Sequence, residues 1–377
     1  MIDNLKTQFV QAFGSDPQFG VRSPGRINLI GEHIDYLDGL VMPMAIDRGI
    51  YGVVAPNSSD EIRIWTSITG ELASVSTGDS QVREGKEFWL NYPVGVLSVY
   101  RDAGVNCPGF DIAIDSDLPT GAGLSSSAAL ETVFGLVIER LAGKSFTAVE
   151  RALFCQKAEH DFAGVPCGVM DQMAVGACEE GKALMLDCRD NGLTPVSIPE
   201  GIGIVVTDTQ VTHALGDGEY KKRRQDCEAA LEILPADSWR DLSIEVVNAH
   251  SEQLGDQLFR RARHAVTEIA RVDAFAAALD GNDYEKMSAA LLGSHLSLKD
   301  DFEVSCHELD KLVEFAYQFG PEQGLVGARM TGGGFGGSTI SLVKEESAES
   351  LMSHLVTEFE SAFGKTLTPF LTRPSAG

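Results

Sequence analysis

The stretch GRINLIGEHIDYLDG, residues 25 to 39, ends an apolar run on Glu32, His33 and Asp35, with Tyr36 beside them. Ile27, Leu29 and Ile30 suit a buried strand, where charged groups are costly unless something pairs with them. The three side chains therefore either pair with one another or wait for a ligand rich in hydrogen-bonding groups. LPTGAGLSSSAA, residues 118 to 129, carries different chemistry. It lacks the G-x-x-x-x-G-K-[ST] of a Walker loop. Yet Gly121 and Gly123 permit close backbone approach, and Ser125, Ser126 and Ser127 fall where a helix begins. Free amides and the positive end of a helix dipole favour a phosphate there. The alternative is a glycine turn followed by an ordinary serine N-cap. Three successive serines exceed what one cap requires, which favours the phosphate.

Two further stretches carry open alternatives. TGGGFGG, residues 331 to 337, contains G-x-G-x-x-G at Gly332, Gly334 and Gly337. A dinucleotide fingerprint must open a helix, and here the strand-like STISLV follows, so a nicotinamide site is excluded. What remains is a loop whose backbone approaches either a ligand or another element. In CGVMDQM, residues 167 to 173, Pro166 and Gly168 make a kink, and Asp171 sits among apolar neighbours with Gln172. An isolated Asp after a kink reads as a helix cap or as a catalytic base. Glu159, on a preceding helical stretch, reads by itself as a solvated residue.

These groups need strands and helices to hold them. GIYGVVAP, EIRIWTS, FDIAIDSDLP, KALMLDC and GIGIVVTDT read as strands, the third by its alternation of Phe110, Ile112 and Ile114 with their neighbours. MIDNLKTQFVQAFG reads as a short amphipathic helix. A long helical pattern follows the serines, and a second begins at Thr147 with Glu150 at capping-box spacing. SEQLGDQLFRRARHAVTEIARVDAFAAAL is the longest helix, and GARMTGGGFGGSTISLV is a glycine turn feeding a strand. The polar stretch RDNGLTPVSIPEG, with its Pro and Gly, is the natural inter-domain boundary. It divides the chain into residues 1–190 and 191–377.

Composition narrows the class. A chain of 377 residues exceeds the size at which single cores stop growing, so two domains are expected. A formal charge of −25 argues against nucleic acid and anionic membrane as partners, since both call for a basic surface, and it also fits an adaptation for solubility. Seven scattered cysteines without a C-x-x-C pair describe free thiols in a reducing cytoplasm, and the histidines form no zinc-like cluster with them. Nothing reads as a signal peptide or a transmembrane run.

Taken together, the sequence resembles the galactokinase branch of the GHMP small-molecule kinase family along essentially its whole length. GRINLIGEHIDYLDG is similar to the branch signature, LPTGAGLSSSAA to the family phosphate loop and ARMTGGGFGG to its third motif. VMDQ, HALGDGEYKKRRQDCE and SHLSLKDDFE match further stretches in order. The resemblance implies an α/β fold of α+β type, two GHMP kinase domains with the active site in the cleft between them. It implies an ATP- and Mg²⁺-dependent kinase acting on the anomeric hydroxyl of galactose, a monomer or weak homo-oligomer. Glu32, His33, Ile34, Asp35, Gly168 and Tyr220 would meet the sugar. Gly121, Ala122, Gly123, Leu124, Ser125, Ser126 and Ser127 would cradle ATP, with Ser67 touching the nucleotide. Ser127 and Glu159 would hold Mg²⁺, Asp171 would be the base and Arg26 the cation beside it. The signature usually reads E-H-T-D-Y-N; Ile34 and Leu37 depart from it, and Gly218 stands where a serine is common. If Ile34 and Leu37 point into the core, the specificity survives; if they face the pocket, the preferred hexose can differ. The alternatives are a kinase for N-acetylgalactosamine or arabinose, and a regulator that binds galactose and ATP without turnover.

Overall fold

The computed structural model describes residues 1–212 and 216–377, so His213, Ala214 and Leu215 of the HALGDGEYKKRRQDCE stretch lie outside the described residues. The strands are β1 (Phe19–Asn28), β2 (Leu40–Val41), β3 (Pro43–Pro56), β4 (Glu61–Thr66), β5 (Leu72–Ser76), β6 (Phe110–Ser116), β7 (Lys182–Asp187), β8 (Gly192–Ser197), β9 (Ile202–Thr212), β10 (Leu325–Thr331), β11 (Gly336–Lys344) and β12 (Phe370–Thr372). They form a five-stranded sheet in the order β1-β3-β6-β4-β5, a four-stranded sheet β10-β11-β9-β12 and a three-stranded sheet β2-β7-β8. In the first sheet only β4 and β6 run parallel. The expected helix Ile2–Phe13 covers one face, burying Leu5 and Phe9 against Val53, Ala55 and Ala113. Helix Ser126–Ala142 packs on β1 and β3 from the other side.

The four-stranded sheet buries Val205, Ala328 and Val343 against helices His307–Phe319 and Ala348–Phe363. A single core joins the halves, running from Ile112 and Phe134 through Ile27 and Ile30 to Val272, Phe275 and Ile340. Apolar continuity of this kind fixes the two sheets relative to each other, and with them the side chains between.

Local structure adds detail to two of these readings and corrects a third. The boundary stretch RDNGLTPVSIPEG contains strand β8, which pairs antiparallel with β7. It is an edge strand whose residues are exposed or half-buried, so it shows no apolar alternation, and an edge tolerates Pro195. The longest helix, Ser251–Asp280, is interrupted at Gly255, whose φ of 65° is left-handed. Glu159 is buried at the start of a turn of π-helix, Glu159–Ala163, rather than solvated; such turns recur at functional sites.

Candidate active site

β1 carries a register shift between Pro24 and Arg26. At the break, a Cβ on Gly25 would lie 2.5 Å from Leu118 and 2.9 Å from the Leu124 carbonyl, so only glycine lets this strand meet the serine loop. The bulge re-aims Arg26. Its backbone amide donates to the Leu124 carbonyl at 3.0 Å and its Nη1 to the Gly123 carbonyl at 2.6 Å. Its Nε and Nη2 form a bidentate pair with Asp171, both at 2.9 Å. Asp171 lies in the first turn of helix Met170–Ala177, whose N-cap is Val169, so the cap reading of Asp171 is set aside.

Ser125 settles the second alternative. It is the N-cap residue of helix Ser126–Ala142, but its φ is 56° and its side chain accepts no amide of the helix. The hydroxyl instead donates to Asp171 Oδ2 at 2.5 Å. The ordinary serine cap is therefore overturned, and among the described residues no side chain caps the first helical amides. Gly121, Gly123 and Ser126 are exposed, whereas the side chains of Ala122 and Leu124 join the core and could offer only backbone to a ligand.

Glu32, His33 and Asp35 occupy the turn after β1, with His33 at a left-handed φ of 61°. Glu32 Oε1 accepts from the Gly332 amide at 2.7 Å and the Thr331 hydroxyl at 3.1 Å. His33 is held neutral, burial lowering its pKa to about 3. Its Nε2 is 3.0 Å from the Gly333 carbonyl and so carries the proton, while Nδ1 accepts from the Tyr36 hydroxyl at 3.0 Å. Tyr220 packs on His33, ring centroids 5.2 Å apart. Asp35 is ion-paired with no cation among the described residues: burial, and then the charges of Asp171 and Glu32, push its carboxyl up to about 7. Gly168 abuts it, since a Cβ there would sit 2.0 Å from Asp35 Oδ2.

The glycine loop approaches other elements of the protein. A Cβ on Gly332 would press on the Gly123 carbonyl at 3.1 Å, and one on Gly334 would overlap the Val304 carbonyl at 2.2 Å. The loop thus wedges between the serine loop and the acidic turn. Glu159 faces the same region. Its carboxylate takes the Gln172 amide at 2.6 Å and lies in hydrogen-bond reach of Ser127. Burial, then Asp171, raise it to about 7.

These groups line one cavity of about 350 Å³, containing Arg26, Glu32, His33, Asp35, Glu159, Asp171 and Tyr220. Gly168 supports its wall. Ile34 and Leu37 are 0% and 5% exposed, lie in the core and do not line it, so the two departures from the signature leave its surface unchanged. Ser67 is exposed at the end of β4, hydrogen-bonded to Asp115, and also stands apart from it. Cys167, Lys221 and Phe335 line the cavity without having been singled out. Each is adjacent to, or lies within, a stretch that was, and adjacency was the one signal available.

The chain matches the galactokinase galactose-binding signature over residues 7–56, the GHMP kinases N terminal domain over 91–178 and the GHMP kinases C terminal domain over 274–361. The galactokinase of Bos taurus is 39% identical over all of this chain and 96% of its own length. That of Streptomyces coelicolor is 40% identical over 98% of this chain and 96% of its own. A galactokinase of Lactococcus lactis, solved in complex with galactose, superposes with a TM-score of 0.94 at 33% identity, covering 100% of this chain and 98% of that one. A mevalonate kinase shares the fold at a TM-score of 0.69 and 17% identity, covering 96% of this chain and 100% of that one. The acidic turn inside the matched signature, the two GHMP segments in chain order and the full-length likeness place this chain in the galactokinase family.

Proposed function

We propose that the protein transfers the γ-phosphoryl group of ATP to the anomeric hydroxyl of α-D-galactose, with galactose 1-phosphate as product. The observation that carries this reading is the cavity lined by the Arg26–Asp171 pair together with Glu32, His33 and Asp35, with Ser125 bonded to Asp171 behind it. Phosphoryl transfer is mainly positioning and charge stabilisation. The acidic turn, with Gly168 and Tyr220 behind it, orients the sugar hydroxyls. Asp171 accepts the proton of the attacking hydroxyl, and Arg26 lends positive charge beside it. The uncapped helix start and Gly121–Ser127 receive the phosphates, and Ser67 borders the nucleotide.

Ser127 and Glu159 fit a hard cation. Both offer oxygen, and Glu159 is a buried carboxylate facing Asp171 with no cationic side chain paired to it among the described residues. Mg²⁺ bound there would neutralise phosphate charge during transfer. We further read the chain as dividing near residue 190, as a monomer or weak homo-oligomer, and as cytoplasmic on the strength of its seven free thiols. Among the described residues no helix is long and apolar enough to cross a membrane.

The test follows ADP release with galactose, glucose, N-acetylgalactosamine and arabinose. Galactose is expected to lead, with glucose about 10⁴-fold lower in kcat/KM, because a site built around one hydroxyl is left with unpaired polar groups by its epimer. Comparable turnover of glucose would overturn the substrate, and binding of galactose and ATP without ADP release would favour the regulator.

A further inference from the structure

Arg329, on β10, is completely buried. Its Nη1 donates to the Asn28 carbonyl at 3.4 Å, while Nε and Nη2 have no hydrogen-bond acceptor among the described residues. Burying a guanidinium with so few partners is costly unless nearby negative charge offsets it. Two fully or almost fully buried acids surround it, Glu32 and Glu268. Glu268 already has a closer partner: Arg271 Nε lies 2.8 Å away, and the Ser294 hydroxyl and Gly31 amide donate at 2.5 and 3.0 Å. Glu32 Oε1, 3.5 Å from Arg329 Nη2, is therefore the acid that needs this cation. Burial pushes the Glu32 carboxyl up, and Arg329 is the largest influence opposing that shift. Arg329 itself does not reach the cavity, whereas Glu32 lines it. The same strand and the turn after it brace Glu32 through Thr331 and Gly332.

We propose that Arg329 is a positioning residue for the sugar. It holds Glu32 as an aimed carboxylate, so that the C-terminal sheet sets the geometry of a contact supplied by β1. This rests on the reading of Glu32 as a sugar contact, and the experiment separates the two. Galactose Kd is measured by calorimetry on the full chain without nucleotide, alongside KM and kcat, for E32Q, R329K and R329K/E32Q. Lysine keeps the charge but loses the planar fork. E32Q and R329K are each expected to weaken galactose binding by about tenfold or more, and in R329K, whose side chain does not line the cavity, kcat at saturating sugar and the KM for ATP are expected to change by less than about threefold. Because one residue acts through the other, the double variant is expected to match the weaker single one rather than multiply the losses. Unchanged binding in E32Q would overturn the sugar-contact reading and this inference with it. Loss in E32Q with wild-type affinity in R329K, or multiplied losses in the double variant, would overturn this inference alone. Should R329K fail to fold, R329M/E32Q, which removes both charges, is expected to fold and to match E32Q; its failure to fold would also refute the pairing.

Discussion

Asp35 and Asp171 line the same cavity in opposite circumstances. Asp171 spends both oxygens on Arg26 and also takes the Ser125 hydroxyl, while Asp35 faces Asp171, Glu32 and Tyr220 and is ion-paired with no cation among the described residues. Burial therefore raises Asp35 from 3.8 to about 7. Between those values the free folded protein keeps a proton that the unfolded chain has released, so this group's contribution to stability falls as pH rises through the window. Sugar hydroxyls donating to Asp35 favour its carboxylate. Galactose binding should then release a proton and weaken by about tenfold per pH unit below about pH 7. Calorimetry in two buffers of different ionisation enthalpy measures the released proton, and an affinity flat from about pH 5.5 to pH 8 would contradict it. Asp171→Asn is nearly isosteric and should bind galactose and ATP normally while losing ~10²- to 10⁴-fold in kcat. Retention of near-wild-type kcat would remove Asp171 from the chemistry.

At the scale of elements, two helix starts that both carry a hydroxyl residue at the N-cap do different things. Thr147 closes a capping box, accepting the Glu150 amide at 3.2 Å while Glu150 takes the Thr147 amide at 2.8 Å. Ser125 leaves its helix uncapped and turns its hydroxyl to Asp171. Thr147→Ala is accordingly expected to cost about 1 kcal/mol of stability and nothing in rate. Ser125→Ala is expected to cost little stability and to lower kcat. Denaturation midpoints and steady-state kinetics on both variants decide this; a stability loss in Ser125→Ala as large as in Thr147→Ala would restore the structural cap. The capping box was legible because both partners sit three residues apart. The Ser125 bond was not, because its acceptor is 46 residues away.

Across the whole molecule, the cavity gathers four carboxylates, Glu32, Asp35, Glu159 and Asp171, against two cationic side chains, Lys221 and the paired Arg26. Such a site favours a ligand at the expense of the empty protein's stability. Glu159 is raised to about 7, so near pH 8 it is ionised where the fold favours the proton. Glu159→Gln should therefore melt at the same or a higher temperature than the wild type at about pH 8 without ligands, while turnover falls and Mg²⁺ no longer raises it. Thermal melts and an Mg²⁺ titration of ADP release check both halves. A lower melting temperature with normal Mg²⁺ dependence would make Glu159 a purely structural residue.

By itself, the sequence determined the local chemistry: glycines where the backbone must crowd another element, serines at a helix start and an acidic turn after an apolar strand. It also carried the family likeness, because those stretches recur in order. It left open whether Asp171 was a cap, whether Glu159 was solvated and where Ile34 pointed. Those answers depend on residues far apart in the chain. Arg26 meets Asp171 across 145 positions, and His33 meets Gly333 across 300. The buried partners Arg329, Glu268 and Gln172 gave no local signal, since a charged or amide side chain in a helix or strand looks solvated until tertiary packing removes the water around it. Only the folded core, by excluding water, decided which of these polar groups must pair and with which partner.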